Sequence, residues 1–162
     1  MRSLIQPLAC LGLLIACGGG GEAATSCGPS KARVAEVIDG DTLVLEGGER
    51  VRYVLVDTPE STAGRHECFG PEALAFNRSL VEGREVTLVD AEACEDRFGR
   101  RLAYVSVDGH DVSALLIERG FACVLHVPPA GTSRQAELRA LESQARRARR
   151  GLWGACSPVP CR

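Results

Sequence analysis

A strand that ends in acidic residues is the part of this sequence in which residue types and spacing most suggest chemistry. Residues 51–60 read VRYVLVDTPE, an apolar strand that carries Arg52 and is followed by Asp57 and Glu60. Pro59 ends the strand, because proline cannot donate to the hydrogen-bond ladder of a sheet. Two carboxylates beside a guanidinium have the charges needed to hold a cation and a phosphate. The same residues also fit a simple turn, in which Asp57 bonds its own backbone and Glu60 lies in water.

Composition limits the class of protein. The chain has 162 residues, of which 45% are hydrophobic and 25% charged, and this suits one globular domain. Its formal net charge is −2, so any binding of a polyanion must depend on local clusters of positive charge. Aromatic residues make up only 4%, which argues against an extended surface for stacking bases.

The N-terminal residues have the pattern of an export signal. Arg2 is followed by a mostly apolar run that is too short to span a bilayer, so residues 1–16 are predicted to be a lipoprotein signal peptide. Residues 14–18 (LIACG) resemble a lipoprotein cleavage site, at which Cys17 would become the lipidated first residue. The alternative is an ordinary secretory signal that is cut nearer Ala24. Residues 17–31 are glycine-rich at their start and are predicted to be a flexible tether.

The cysteines agree with export. Six remain after the signal peptide and the lipidated position, an even number that predicts disulfides in an exported domain. They contain no CxxC pair and no accompanying histidine cluster, which argues against zinc. The candidates are Cys27, Cys68, Cys94, Cys123, Cys156 and Cys161. We therefore expect a cell-envelope lipoprotein, at the outer membrane, in the periplasm or on the cell surface, or otherwise a secreted protein, with Cys17 as its only membrane contact.

Apolar periodicity predicts five short strands and three helices. The strands are expected at 32–38, 42–45, 51–56, 85–90 and 102–107, with an Asp-Gly hairpin turn between the first two. Helices are expected from Pro71, after Asp111, and from a capping box formed by Thr132 and Gln135 to Leu152. Five such strands can close the small barrel typical of oligonucleotide-binding folds.

Two charged stretches have simple explanations on pattern alone. Residues 92–101 fit a solvated loop. The last helix carries Arg139, Arg146, Arg147, Arg149 and Arg150 outside its apolar stripe. These arginines fit a solvated basic face, and contact with lipid or nucleic acid is the alternative.

Three motifs taken together resemble the staphylococcal (thermonuclease) nuclease family. They are residues 38–42 (IDGDT), residues 52–60 with Arg52 and VDTPE, and residues 96–104 (DRFGRRLAY). Residues 70–73 (GPEA) and 151–153 (GLW) also match the family pattern. The likeness covers residues 32–153 and leaves 154–162 as a cysteine-containing tail. It implies an α+β fold with a five-stranded OB-fold-like β-barrel and three α-helices.

The resemblance implies a calcium-dependent hydrolase that cleaves DNA and RNA to 3′-phosphorylated products. Asp41 and Asp57 match carboxylates that bind Ca²⁺, and Thr58 matches a ligand that uses its backbone carbonyl. Oxygen ligands suit such a hard cation. Glu60 matches the general base, which would take a proton from the attacking water.

The resemblance also implies how substrate is held. Arg52 and Arg100 match the two guanidinium groups that bind the scissile phosphate, as bidentate donors that lysine would not replace. Arg97 and Phe98 are expected to contact substrate beside them. We expect a monomer whose partners are DNA and RNA.

Some positions depart from the family pattern. His126 and Pro128 fall near the places of two tyrosines that contact the nucleotide, and Phe98 replaces a tyrosine, so its ring can stack but carries no hydroxyl. We therefore expect weaker substrate binding with strong salt dependence. His66 and His110, like His126, are expected at the surface or in packing.

The cysteines are additions to the family pattern. If the family fold holds, Cys123 lies near the Trp153 end of the last helix, so Cys123–Cys156 is the preferred disulfide. Two functions other than catalysis are also open. The same barrel could bind nucleic acid or another anion without cutting it, or the anchored chain could be an envelope interaction protein.

Overall fold

The architecture is a closed β-barrel flanked by helices, seen in a computed structural model that describes residues 26–62 and 64–161. The strands are β1 (Lys31–Asp39), β2 (Thr42–Leu45), β3 (Arg50–Tyr53), β4 (Val56–Asp57), β5 (Glu85–Glu95), β6 (Arg101–Val107), β7 (His110–Asp111) and β8 (Cys123–Val124). The helices are α1 (Gly70–Val81), α2 (Val112–Glu118), α3 (Gln135–Arg147) and the single turn α4 (Leu152–Ala155).

Five strands form the barrel in the order β3-β2-β1-β5-β6, and parallel pairing of β3 with β6 closes it. In that closing pair Val51 lies opposite Arg101 and Tyr53 lies opposite Ala103. β7 extends the edge of β6, while β4 and β8 pair with each other in a second, two-stranded sheet. The predicted α+β fold, a five-stranded barrel with three helices, is confirmed, and α4 is a short addition to it.

The barrel interior is filled by alternate side chains of each strand. Along β6 Ala103, Val105 and Val107 are buried, as the two-residue period of a strand requires. Arg101 is also buried, with its side chain only 2% exposed. Its Nη2 lies 2.6 Å from Asp90 Oδ1 and its Nη1 lies 3.4 Å from Glu49 Oε2. These two carboxylates balance a charge that would otherwise be costly to bury.

The turn between β1 and β2 is the predicted Asp-Gly hairpin, and α1 holds it in place. Asp39 pairs with Thr42 across the turn. The Tyr53 hydroxyl donates to Asn77 Oδ1 (2.9 Å), and Asn77 Nδ2 donates to the carbonyl of Asp39 (3.2 Å). Burial raises the pKa of Tyr53 far above its usual range, so its hydroxyl stays a donor at all ordinary pH values.

The predicted strand at 51–56 is in fact two strands. β3 ends at Tyr53 and β4 begins at Val56, because Leu55 adopts a left-handed backbone conformation (φ 65°) that no strand can continue. β4 then pairs with β8, so that Asp57 lies opposite Cys123. The chain therefore turns out of the barrel before it reaches the predicted acidic residues.

The predicted capping box of the last helix is wrong. Thr132 does not cap the helix, because its hydroxyl donates to the carbonyl of Pro129 (2.9 Å), and α3 begins at Gln135 without a side-chain cap. The helix also ends at Arg147, before Leu152, which starts α4. The other two helix starts agree with the prediction: Pro71 lies in the first turn of α1, and the Asp111 carboxylate accepts from the backbone N–H of Ala114 at the start of α2.

All six predicted cysteines form disulfides, but the preferred pair Cys123–Cys156 is wrong. The observed pairs are Cys27–Cys94, Cys68–Cys156 and Cys123–Cys161. Cys156 meets the loop before α1 instead, and the C-terminal tail returns to β8 through Cys161. Each bridge stabilises the fold by about 2–4 kcal/mol.

The residues that the structure describes begin at Ser26, within the predicted tether (17–31). Its last residues lie against the barrel, where Cys27 is bonded to Cys94 and the carbonyl of Ser30 accepts from Leu88 (2.8 Å). The predicted signal peptide (1–16) and the lipidation site Cys17 lie outside the described residues. Among the helices that are described, none is long and apolar enough to cross a membrane.

Candidate active site

One cleft on the barrel surface, with a volume of about 520 Å³, brings together most of the predicted site residues. They are Asp41, Arg52, Asp57, Thr58, Glu60, Arg97, Phe98 and Arg100. The cleft is also lined by Asp39, Arg50 and Arg65, which the sequence analysis had not placed in a site. Its wall therefore contains five arginines and four carboxylates, so it combines places for a cation with donors for an anion.

Arg52 connects the two predicted metal-binding carboxylates. It lies on β3, and its Nη2 is 3.0 Å from Asp41 Oδ2 and 3.6 Å from Asp57 Oδ1. Its Nη1 donates to the backbone carbonyls of Tyr53 and Val56. The side chain is only 12% exposed. Because these contacts come from both strands around the turn at Leu55, the guanidinium is held in a fixed orientation.

Asp41 is buried in the wall of the cleft, and each of its carboxylate oxygens accepts a hydrogen bond. Its Oδ1 accepts from the hydroxyl of Thr42 (3.1 Å), and its Oδ2 accepts from the backbone N–H of Thr58 (3.0 Å). The bond to Thr58 joins the hairpin turn to the segment after β4. The turn itself approaches so closely that a Cβ on Gly40 would lie 2.6 Å from the Thr58 side chain, so glycine is required there.

Asp39 is the functional candidate that the sequence analysis had explained only as a turn residue. Its Oδ1 accepts from the backbone N–H of Asp41 (3.1 Å), and its side chain faces the cleft. Burial and the nearby charge of Asp41 raise the pKa of Asp39 to about 7. The signal in the sequence was the spacing of two acids either side of one glycine, which places both at the mouth of a single turn.

Glu60 reaches the cleft from the loop before α1. Its backbone N–H donates to Glu67 Oε2 (2.8 Å), and its carbonyl accepts from the N–H of Glu67 (3.0 Å). The start of α1 packs directly on this segment, because a Cβ on Gly70 would lie 2.6 Å from the Glu60 carbonyl oxygen. The Glu60 backbone is thus fixed on two sides while its side chain lines the cleft.

Arg100 lies in the tight turn between β5 and β6 and is paired with Asp96. Asp96 Oδ2 accepts from Arg100 Nε (2.7 Å) and lies 2.6 Å from its Nη2. Asp96 Oδ1 accepts from the backbone N–H groups of Phe98 (2.8 Å) and Arg100 (3.1 Å). Although burial raises the pKa of Asp96, these hydrogen bonds outweigh it and lower that pKa below its usual value.

The same turn exposes an aromatic ring between two cations. The guanidinium of Arg97 lies 4.7 Å and that of Arg100 5.4 Å from the centre of the Phe98 ring. Phe98 is 65% exposed, which is unusual for so large an apolar side chain. The ring is therefore available for contact with a ligand at the edge of the cleft.

A second cavity of about 510 Å³ adjoins the cleft and shares Arg52, Asp57 and the turn at 96–100 with it. Its wall is more apolar and includes Leu55, Leu102, Leu125, Val127, Pro128 and Pro129. Pro128 therefore lies where the sequence analysis placed it, next to the site. Its neighbour His126 turns away to a contact with the hydroxyl of Thr132 (3.3 Å). His66 and His110 are exposed.

Asp41 and Asp57 are the candidate ligands for a divalent cation in the cleft. The carboxylates of Asp41 and Asp57 are 8% and 6% exposed, and both lie within 4 Å of one guanidinium nitrogen, so they face a common point. In residues 26–62 and 64–161 no three His, Cys, Asp or Glu side chains form a metal-binding group. Two carboxylates fit a calcium site only if carbonyl, water or phosphate oxygens complete the coordination.

Comparison with known proteins identifies relatives over most of the chain. The family model described as staphylococcal nuclease homologue matches residues 50–155. This range contains Arg52, Asp57, Glu60 and Arg100, whereas Asp41 precedes it.

Three relatives show the extent of the similarity. An uncharacterized protein of Bacillus anthracis is 33% identical over 129 residues, which are 76% of this chain and 60% of that protein. Endonuclease YncB of Bacillus subtilis (strain 168) is 37% identical over 123 residues, 72% of this chain and 58% of the endonuclease. An uncharacterized endonuclease of Escherichia coli O157:H7 is 33% identical over 138 residues, 83% of this chain and 84% of that protein. The chain thus spans only about three fifths of the first two relatives.

Proposed function

The chain belongs to the staphylococcal nuclease family, and on this premise we propose that it is a nuclease that hydrolyses phosphodiester bonds of DNA and RNA in the cleft. One observation carries the proposal. Two arginines, Arg52 and Arg100, line the same cavity as the buried pair Asp41 and Asp57 and as Glu60. A phosphodiester needs this combination, since its negative charge must be neutralised while a nucleophile approaches.

The two arginines bind and orient the scissile phosphate. Guanidinium groups donate charge-assisted hydrogen bonds to phosphate oxygens. Arg52 is already fixed by Asp41, Asp57 and backbone carbonyls. Arg100 is fixed by Asp96. Because both groups are oriented before substrate arrives, little of the binding free energy is lost in ordering them.

Glu60 acts as the general base. Its carboxylate takes a proton from a water molecule as the water oxygen forms a bond to phosphorus. The bond between phosphorus and the 5′ oxygen breaks, and the leaving oxygen takes up a proton from solvent water. The product keeps its phosphate on the 3′ side. A general base of this kind contributes about 10²–10⁴-fold to the rate.

We propose Ca²⁺ as the cofactor, held by the carboxylates of Asp41 and Asp57 and the backbone carbonyl of Thr58. When bound, the ion supplies positive charge next to the phosphate. The position of the two carboxylates supports this assignment, because both are nearly buried, line the same cleft and lie within 4 Å of one point, so their oxygens can share one ion. Family membership, rather than the donor set, favours calcium over magnesium.

Bases and sugars next to the scissile phosphate would lie against the second cavity. Its proline and leucine side chains offer apolar contact, and Phe98 offers a ring for stacking. None of these groups reads base identity through hydrogen bonds. This supports cleavage of both DNA and RNA without strong sequence preference.

We further propose that the chain is exported and works as a monomer outside the cytoplasm, anchored through lipid on Cys17. The three disulfides support an oxidising compartment. Mass spectrometry of the protein from membranes tests the anchor. A lipidated Cys17 at the N terminus is expected, and an unmodified N terminus near Ala24 would contradict it.

The test of the activity is cleavage of plasmid DNA and of a defined RNA by the purified chain with Ca²⁺, with Mg²⁺ or with chelator. Both substrates should be cut with Ca²⁺ and neither with chelator, and the products should need a phosphatase before a polymerase can extend their 3′ ends. Salt-dependent binding without cleavage under every condition would instead identify a binding module.

A further inference from the structure

A cluster of exposed arginines lies around the C-terminal end of α3, and none of its members lines the cleft. We call it the arginine patch; its members are Arg119, Arg146, Arg147, Arg149 and Arg150, all exposed. The chain as a whole has a net charge of −2, so this concentration of positive charge is local. It has no part in the catalytic arrangement described above.

Two separate regions of the fold meet at the patch. The backbone at Gly120 touches that at Gly151, where the N–H of Leu152 donates to the carbonyl of Gly120 (2.9 Å). A Cβ on either glycine would lie 2.2 Å from a backbone oxygen of the opposite segment. This contact places Arg119, at the end of α2, beside Arg150, after α3. The patch is thus built by tertiary structure rather than by one helix alone.

The acidic groups nearby neutralise only part of this charge. Glu142 is shared by Arg139 (3.2 Å) and Arg146 (3.6 Å), and Glu118 lies 3.9 Å from Arg150. Within residues 26–62 and 64–161, no ion pair is formed by Arg119, Arg147 or Arg149. These three guanidinium groups keep their donors available to a ligand with several negative charges.

The backbone at Arg149 provides an independent observation. α3 ends in the arrangement in which the N–H of Arg150 donates to the carbonyl of Ala145 (3.0 Å) and that of Arg149 to Arg146 (3.1 Å). Arg149 therefore occupies the left-handed position (φ 52°) at which glycine is the usual residue. A side chain at this position makes the backbone conformation less favourable. Helix termination therefore does not explain why an arginine, and not a glycine, occupies this position.

We propose that the arginine patch is a second contact surface for the phosphate backbone of long nucleic acids, a proposal that rests on the nuclease function proposed above. Guanidinium groups suit phosphate oxygens because they donate in a bidentate geometry. Among the residues that the structure describes, the exposed large apolar ones are Val89, Phe98 and Val127, and none of them belongs to the patch. An anionic membrane is therefore the less favoured partner, because the patch offers no such side chain to enter a bilayer.

The position of the patch sets the length of substrate that can reach it. None of the five arginines lines the cleft or the second cavity. A dinucleotide held in the cleft therefore lies outside the patch, whereas a strand of 30 nucleotides extends beyond the cleft and can reach it. The patch should therefore affect binding of long substrates only.

The test compares Arg149→Gly, and the double variant Arg147→Ala/Arg149→Gly, with the unaltered chain. Binding of a fluorescent 30-nucleotide single strand is measured by anisotropy in chelator, which separates it from cleavage. The double variant should bind roughly three- to tenfold more weakly at low salt, and the slope of log K against log salt should fall by about 0.7 for each arginine removed. A dinucleotide substrate should be cleaved at an unchanged rate.

Controls separate a binding role from a structural one. Arg149→Gly should melt at the same temperature as the unaltered chain or at a higher one, because glycine adopts the left-handed conformation without steric cost. Weaker binding by this variant could therefore not be attributed to unfolding. Lys31→Ala/Arg33→Ala removes the same charge from exposed positions at the start of β1 and should leave the salt slope within error of the original.

Two results would overturn the proposal. In one, the patch variants bind the 30-nucleotide strand like the unaltered chain. In the other, they keep that affinity but lose binding to vesicles of phosphatidylglycerol, which would assign the patch to a membrane. If no cleavage occurs with any metal but the patch variants still lose affinity, the nuclease assignment fails while the contact surface stands.

Discussion

Asp96 and Arg100 are joined by a two-point contact within a single tight turn. One carboxylate oxygen accepts from Nε at 2.7 Å and lies 2.6 Å from Nη2, while the other oxygen accepts from two backbone N–H groups of the same turn. The acid that shapes the turn is therefore also the group that orients the arginine. Sequence motifs show both residues four positions apart, but only the fold shows this double role.

We predict that Asp96→Asn lowers kcat/KM about tenfold and acts mainly on kcat. Asparagine keeps an acceptor for the backbone of the turn but removes the negative charge that orients Arg100. Steady-state kinetics on long DNA measures the effect. In an Arg100→Ala background the same change should have almost no effect, because the group it positions is gone. An equal loss in both backgrounds would show that Asp96 acts through the fold alone.

The lowered pKa of Asp96 predicts a defined pH dependence of stability. A carboxyl whose pKa is lower in the folded state stabilises the fold above its ordinary pKa of 3.8, and this contribution is lost as the pH falls through the lower folded value. The free energy of unfolding of the unaltered chain should exceed that of Asp96→Asn by a constant amount above about pH 5. The difference should shrink below pH 3.8. Urea titrations from neutral to acidic pH measure it, and a difference that grows on acidification would contradict the assignment.

Glu60→Gln should lower turnover by at least about a hundredfold without unfolding the protein. Glutamine fills the same space and leaves the contacts of the Glu60 backbone with Glu67 intact, but it cannot accept a proton from water. The control is Glu46→Gln, which makes the same change at an exposed site. Undiminished cleavage by Glu60→Gln would place the general base elsewhere.

The residues of the cleft were predicted from the resemblance of several short motifs, in order, to the nuclease family, because each motif alone also fits a turn or a solvated loop. The Asp-Gly turn that carries Asp41 forms where the hairpin pattern places it, and Pro59 ends the segment after Asp57 as expected. Glycine spacing and alternation of apolar residues are local properties, so a single sequence is enough to read them. Five such strands permitted a small barrel, and the resemblance to the nuclease family implied it.

What the sequence could not show depends on tertiary contacts. Cys123 has five possible partners, and nothing in the spacing distinguishes Cys156 from Cys161, since the choice depends on where the C-terminal tail returns. Thr132 and Gln135 have the types and spacing of a capping box, but the carbonyl of Pro129 takes the hydroxyl instead. The break at Leu55 requires a left-handed conformation that its residue type does not indicate.

Arg52 should weaken calcium binding while it orients phosphate. Its Nη2 lies within 4 Å of both carboxylates that we assign to the ion, so a cation at that place is repelled by the guanidinium. We predict that Arg52→Ala loses activity but binds Ca²⁺ more tightly, and that saturating Ca²⁺ raises its melting temperature more than that of the unaltered chain. Calorimetry and thermal melts measure both quantities. Arg78→Ala, which removes an exposed arginine on α1, should leave calcium affinity unchanged, and a weaker affinity in Arg52→Ala would contradict the assigned carboxylates.

The Cys27–Cys94 bridge should matter for stability and not for chemistry. It holds residues 27–30 over Arg101, where the carbonyl of Pro29 accepts from Arg101 Nη1 (3.0 Å) and the N–H of Cys27 donates to Asp90 (2.9 Å). Without the bridge this segment can leave the barrel and expose a charge that is now buried. The double variant Cys27→Ser/Cys94→Ser should lose about 2–4 kcal/mol of unfolding free energy in urea titrations.

The same variant should keep its kcat/KM within about twofold of that of the unaltered chain, because neither cysteine lines the cleft. The bridge contributes about 2–4 kcal/mol to the stability of the fold and nothing to the reaction. Amide hydrogen exchange in this variant should be faster than in the unaltered chain only in residues 27–30 and in the neighbouring strand β5, which carries Asp90. The matched comparison is Cys68→Ser/Cys156→Ser, since Cys68 lies in the loop between Glu60 and α1. Loss of that bridge should lower both stability and activity, because it loosens the segment that fixes Glu60. If removal of either bridge reduced activity equally, the loop before α1 would have no special part in placing the base.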